Sequence, residues 1–174
     1  DTPLHGHQES RFFHGYYNHY CYLPLYIFCG DHLLRARLRP ANIDASAGSL
    51  EEVQTLVAQI RARWPKTRII LRADSGFCRD ELMSWCEDNR VDYVFGFARN
   101  ERLRKLIETE MQQARAEHER TGQPARVFAE FDYETRDTWS RARRVVAKAE
   151  RIEGKENPRF VVTSLGAQDF PAQA

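Results

Sequence analysis

The stretch RIILRADSGFCRDELMSW, Arg68 to Trp85, decides how the rest of the chain is read. Ile69, Ile70 and Leu71 in succession predict a strand covered on both faces, and Asp74 closes it. Gly76 permits a tight turn, and ELMSWCEDNR then predicts a short helix with Leu82, Trp85 and Cys86 inward. In open sheets containing parallel strands, ligands bind outside the carboxyl ends of the strands, and Asp74 falls at such an end. The start of the following helix is a weak anion site of its own. A buried carboxylate is costly to keep ionised unless a cation meets it. Two readings are therefore open: Asp74 is a functional acid, or it is structural, capping the next helix or pairing with Arg72 or Arg79.

Working outward, VDYVFGFAR (91–99) is a second apolar strand. Upstream, RFFHGYYNHYCYLPLYIFCG (11–30) predicts a broken strand whose best-formed part is Leu23 to Cys29. HLLRARLRP alternates Leu34, Ala36 and Leu38 against Arg35, Arg37 and Arg39, the period of a half-buried strand. With Gly30 and Asp31 between them, the two form a predicted hairpin. Ser49 and Glu52 spell a capping box, and Leu50, Val53, Val57, Ile60 and Trp64 make one helical stripe that Pro65 ends. Downstream, ERLRKLIETEMQQARAEHERTGQ predicts one long exposed helix ending at Gly122, and VFAEFDYE, RARRVVAKAE and RFVVTSL predict three strands. The expected organisation is a mixed sheet with helices on its faces over residues 1–100, an inserted helix plus β-rich subdomain over 101–165, and a linker from 166 to 174.

Length and composition set the bounds. At 174 residues the chain has the size of one domain with a real core. An apolar fraction of 42% and a charged fraction of 29% are those of a soluble globular protein, which excludes disordered and fibrous classes. The net charge of +1 means that any nucleic-acid surface comes from the placement of the 26 Lys and Arg and not from their excess. No apolar run is long enough to span a membrane and no signal peptide is evident, so no membrane partner and a cytoplasmic location are expected. The four cysteines, Cys21, Cys29, Cys78 and Cys86, lack zinc-site spacing and read as core thiols. The opening loop has no initiating Met and the end follows a strand with nothing to cover its edge, so both ends read as cut from a longer protein.

Other candidates are weaker. His5 and His7 in HGHQE suggest a metal pair but read better as a surface feature. Arg141, Arg143 and Lys148 form a basic strand face that is either a DNA contact or simply solvated. Phe12, Phe13, Tyr16, Tyr17, Tyr20 and Tyr22 read as sheet core in preference to a base-stacking platform.

The run LRADSGFCRDELMSWCEDNRVDYVFGFARNERL resembles the block around the second aspartate of the DDE transposases of bacterial insertion sequences, which share a ribonuclease H-like catalytic core. DTPLHGHQESRFFHGYYNHYCYLPLYIFCG, RLRPANIDAS and RFVVTSL fit the same family, and ADSGF and VFGFARN are the most specific parts. The resemblance implies an α/β fold with a ribonuclease H-like mixed sheet. It further implies a site where two Mg²⁺ or Mn²⁺ ions lie between three acids, activating the attacking oxygen and stabilising the leaving one.

Asp74 matches the second acid and is expected to be a metal ligand. The first Asp belongs in a D-x-T strand upstream of Asp1, and the last Glu in a Y-x2-R-x3-E-x6-K helix, of which Tyr133 and Arg136 satisfy only the first step. The resemblance implies double-stranded DNA as partner, and a homodimer on DNA. Arg72, Ser75, Arg79, Arg99, Asn100 and Arg102 are phosphate-contact candidates, with solvated surface arginines as the alternative. The expected function is a fragment of a transposase catalytic domain that cuts and joins DNA ends in the complete enzyme. The rival is a catalytically inactive DNA-binding remnant of a decayed element. A phosphatase-like enzyme with Asp74 as nucleophile would want a second acid close behind it and a phosphate-cradling loop, and neither is evident.

Overall fold

In a computed structural model the described residues are all except Asp1, His5, His7, Tyr16, Gln173 and Ala174, so the His5/His7 candidate lies outside them. The chain divides into two compact units, Asp1–Thr67 and Arg68–Ala174.

In the first unit, β1 (Thr2–Pro3), β2 (Phe12–His14) and β3 (His19–Tyr22) form an antiparallel sheet in the order β1-β3-β2. β4 (Leu25–Cys29) and β5 (His32–Arg37) make the expected hairpin, closed by Gly30 and Asp31 with a register shift between Ile27 and Phe28. The buried Arg39 ties this region together, donating to the carbonyls of Leu23 (3.0 Å), Ala45 (3.0 Å) and Ala47 (2.6 Å).

Four expectations fail in this unit. The alternation read in HLLRARLRP does not bury its apolar face: Leu34, Ala36 and Leu38 are exposed, whereas Arg39 is buried by its hydrogen bonds to three carbonyls. Of the described members of the aromatic cluster only Tyr22 is buried, while Phe12, Phe13, Tyr17 and Tyr20 are exposed, because strands this short offer little sheet to cover them. Helix α1 (Ser49–Arg63) is capped by Gly48 and not by a Ser49–Glu52 box. The Glu52 carboxylate instead meets Arg35 (2.7 Å) and Arg37 (3.1 Å) of β5, two cations that outweigh a single backbone N–H. Trp64, the end of the predicted stripe, is exposed, and the helix buries Val53, Leu56 and Val57.

The second unit is a mixed six-stranded sheet flanked by helices. Its elements are β6 (Ile70–Ala73), α2 (Asp80–Asp88), β7 (Asp92–Phe97), α3 (Glu101–Leu106), α4 (Glu108–Thr121), β8 (Ala125–Tyr133), β9 (Arg143–Ile152), β10 (Lys155–Glu156) and β11 (Arg159–Thr163). The order is β10-β9-β11-β7-β6, with β8 also paired to β9. β6 and β7 are parallel and every other pair is antiparallel. The strands beyond the charged helices thus extend the sheet that β6 and β7 begin.

Residues aligned across the strands build the core. Val162 has Phe95 as register partner on one side and Val145 on the other, and all three are fully buried. α2 sits on β7 and buries Leu82, Met83 and Cys86, while α4 lies on β8 and β9 with Met111 and Ala114 inward. The single helix expected over 101–122 breaks at Ile107, and Gly122, at φ 67°, does end it. β6 is not covered on both faces: Ile70 is 46% exposed and Ile69 and Leu71 are half-buried, because β6 ends the strand order and has a neighbour on one side only among the described residues.

Candidate functional site

Asp74 leaves β6 in an extended conformation, and its carboxylate accepts the Gly76 N–H at 2.8 Å, capping the 3₁₀ turn Ser75–Phe77. The side chain is exposed, so water supplies the solvation that a buried strand end would lack. Among the described residues no cation pairs with it, although Arg72 stands two residues earlier on the same side of the strand. The helix-capping reading therefore describes what one carboxylate oxygen does, and among the described residues the other has no partner.

The turn lies hard against β7. Gly96 comes one step beyond the Ala73–Phe95 register pair, and a Cβ there would stand 3.0 Å from the Ser75 nitrogen and 3.3 Å from the Asp74 carbonyl carbon. A side chain there would push the Asp74–Ser75 backbone off this strand by a few tenths of an ångström. Beside the turn opens a cleft of about 750 Å³, lined by Asp74, Ser75, Gly96, Arg99, Lys155 and Arg159, among others.

Of the sequence candidates, Asp74, Ser75 and Arg99 thus line one cleft. Arg72 and Arg79 are both exposed, the former on β6 and the latter just before α2. Asn100 caps α3, its side chain accepting the Leu103 N–H at 2.9 Å. Arg102 donates to the Glu134 carbonyl (2.9 Å) and lies over the Tyr133 ring.

The basic face predicted for Arg141, Arg143 and Lys148 is not a face. Arg143 and Lys148 are five residues apart on β9, and side chains alternate along a strand, so they project to opposite sides. Arg143 has a side chain only 3% exposed, and it donates to Asp80 (2.6 Å), Glu87 (2.7 Å) and Ser84 (2.9 Å), with its guanidinium over Trp139. Burial pulls the Asp80 and Glu87 pKa values upward, but hydrogen bonds win: Ser140 and Arg143 hold Asp80, and Arg143 and Tyr93 hold Glu87, below the ordinary carboxylate range. A cation so buried, with two carboxylates already on it, is not presented to a phosphate. Arg141 pairs with Glu87 at 3.4 Å, and Lys148 with Glu150 at 2.9 Å.

Three of the expected core thiols, Cys21, Cys78 and Cys86, are buried, whereas Cys29 at the hairpin tip is exposed. Burial pushes Cys78 up to about 11 and Cys86 up to about 12, which disfavours the thiolate a metal needs. Among the described residues no three His, Cys, Asp or Glu side chains come together as a metal site. Of the two carboxylates that line the cleft, Glu156 is paired with Arg115, which leaves Asp74 alone, fewer than a two-metal centre needs.

Lys155 and Arg159 went unrecognised in the sequence, because the pairings of β10 with β9 and of β11 with β7 bring them to the cleft. Comparison with curated proteins finds no match. A family model described as transposase DDE domain group 1 matches residues 1–173. An Asp at the carboxyl end of a parallel strand, beside an open cleft, agrees with that match, and the chain belongs to the transposase DDE domain group 1 family.

Proposed function

We propose that this chain is part of the catalytic core of a DNA transposase, with Asp74 as one of the acids that hold its metal ions. The family supports transposition as the general function, and domains of this family generally use divalent metal ions. The observation that carries the assignment is Asp74 itself, an exposed carboxylate that closes β6 next to the cleft and, among the described residues, has one oxygen without a partner. Mg²⁺ keeps waters and phosphate oxygens in its shell and takes few carboxylates, which suits a site open to DNA. On this reading the sheet is ribonuclease H-like and residues 101–165 are an insertion that widens it. The missing Asp and Glu lie in flanking sequence, and a partner protomer holds the second transposon end.

The complete enzyme would direct water at a phosphodiester phosphorus, breaking the P–O bond and freeing a 3′ hydroxyl. That hydroxyl would then attack a target phosphodiester, forming one P–O bond as another breaks. Arg72, Ser75, Arg79 and Arg99 would position backbone phosphates near Asp74.

The test uses the longer reading frame with labelled transposon-end DNA and Mg²⁺ or Mn²⁺. Asp74→Ala is expected to abolish cleavage and spare DNA binding, and the 174-residue chain alone is expected to make no cut. Cleavage by the Asp74→Ala enzyme would refute the ligand role, and metal-dependent nicking by the 174-residue chain would refute its incompleteness.

A further inference from the structure

The cleft beside Asp74 has a second wall, built by the turn into β10 and the start of β11. Ile152 pairs with Lys155 across Glu153 and Gly154, and Gly154 sits at φ 73°, the left-handed region that favours glycine. Asn157 fixes the exit of the turn: its backbone N–H donates to the Glu150 carbonyl (2.8 Å) and its side-chain amide to the Glu150 carboxylate (2.7 Å). Lys155 and Arg159 are therefore carried on backbone that is hydrogen-bonded on both sides of the turn. Both are exposed, and both line the cleft together with Arg99.

Nearby acids do not neutralise these cations. Glu156, between them in sequence, is taken by Arg115 (2.6 Å) and Arg104 (4.0 Å). Glu150 is taken by Lys148 and Asn157. Among the described residues no carboxylate pairs with Arg99, Lys155 or Arg159. Register sets Arg159 directly across from Lys148, and like charges directly opposite on neighbouring strands destabilise a sheet. Several other arginines of this unit do have acids, as Arg68 has Asp92 and Arg144 has Glu130. The cleft thus holds three uncompensated cations and one open carboxylate, a charge pattern that attracts a chain of phosphates.

We infer that Lys155 and Arg159, with Arg99, form a seat for the phosphodiester backbone of double-stranded DNA alongside Asp74. The choice of DNA over other polyanions rests on the transposase reading above. The contacts are of the backbone kind, which set register and orientation without reading sequence.

The test titrates the 174-residue chain, in EDTA, against a fluorescein-labelled duplex of mixed sequence across a range of salt concentrations. Each lost phosphate contact removes about 0.9 from the slope of log Kobs against log salt. Lys155→Ala/Arg159→Ala is therefore expected to flatten that slope by about two. The charge-matched double variant Arg63→Ala/Lys66→Ala is expected to keep it, and circular dichroism confirms that both variants are folded. A wild-type slope in the Lys155/Arg159 variant, or equal flattening in the control, overturns the seat. Failure of the wild-type chain to bind the duplex overturns the seat together with the view that this chain contacts DNA. With metal removed, none of these outcomes depends on the role of Asp74.

Discussion

Replacing Arg143 by methionine tests the buried charge network that joins α2 to β9. The guanidinium has a side chain 3% exposed and serves two acids, Asp80 and Glu87, whose side chains are 26% and 18% exposed. Methionine fills much of the volume but leaves two carboxylates facing an apolar group. Removing one partner of a buried pair typically costs about 3–5 kcal/mol. Both acids keep some contact with water, so the loss at neutral pH is expected near the lower bound, about 3 kcal/mol.

The pH dependence supplies a second readout. Both carboxyls are held below their ordinary pKa values in the folded state, so their stabilisation is present above the unfolded values and lost as pH falls through the folded ones. Arg143 stays charged throughout, so the gap between wild type and variant should shrink on acidification from pH about 5 downward as the acids protonate. Urea unfolding followed by tryptophan fluorescence reads the change, with Trp139, one of three tryptophans, under the guanidinium at 5.6 Å. A loss below about 1 kcal/mol at neutral pH, or a gap that does not change between neutral and acid, would refute the account of this network.

Gly96→Ala forces the Ser75 backbone away from β7, because the added Cβ would stand 3.0 Å from its nitrogen. Overpacking of this kind costs about 1–3 kcal/mol, and a melting temperature equal to wild type would show that the turn is not held as described. A thiol reagent at pH 8 should modify the exposed Cys29 rapidly in the folded protein. Cys21, Cys78 and Cys86 should react only after unfolding, and rapid reaction of a second thiol would contradict their burial.

Much of the backbone was legible in the sequence, and the errors concern side chains. The hairpin around Gly30 and Asp31, the strand into Asp74 and the helix stop at Gly122 each follow from a local rule of turn chemistry or periodicity. Exposure of β6 was not legible, since a run of Ile69, Ile70 and Leu71 reads alike whether a strand is central or at an edge. Glu52 could not be assigned, because the arginines that draw it away from the helix N-terminus lie on a hairpin ending 15 residues before it. Arg143 was misread through parity: with Lys148 it looked like one basic stripe, when an odd spacing sets them on opposite sides of the sheet. Lys155 and Arg159 carried no local signal at all, as their position depends on the pairings of β10 with β9 and of β11 with β7.

The hydrogen bond from Gly76 to Asp74 does more than start a turn. It restrains the carboxylate rotation that a free side chain at a strand end would enjoy, and it occupies one oxygen while leaving the other exposed. Under the proposed role, a cation would meet a carboxylate whose orientation this hydrogen bond already restrains. Little side-chain freedom would then be left to lose on binding the ion, and the remaining coordination positions would fall to water and phosphate.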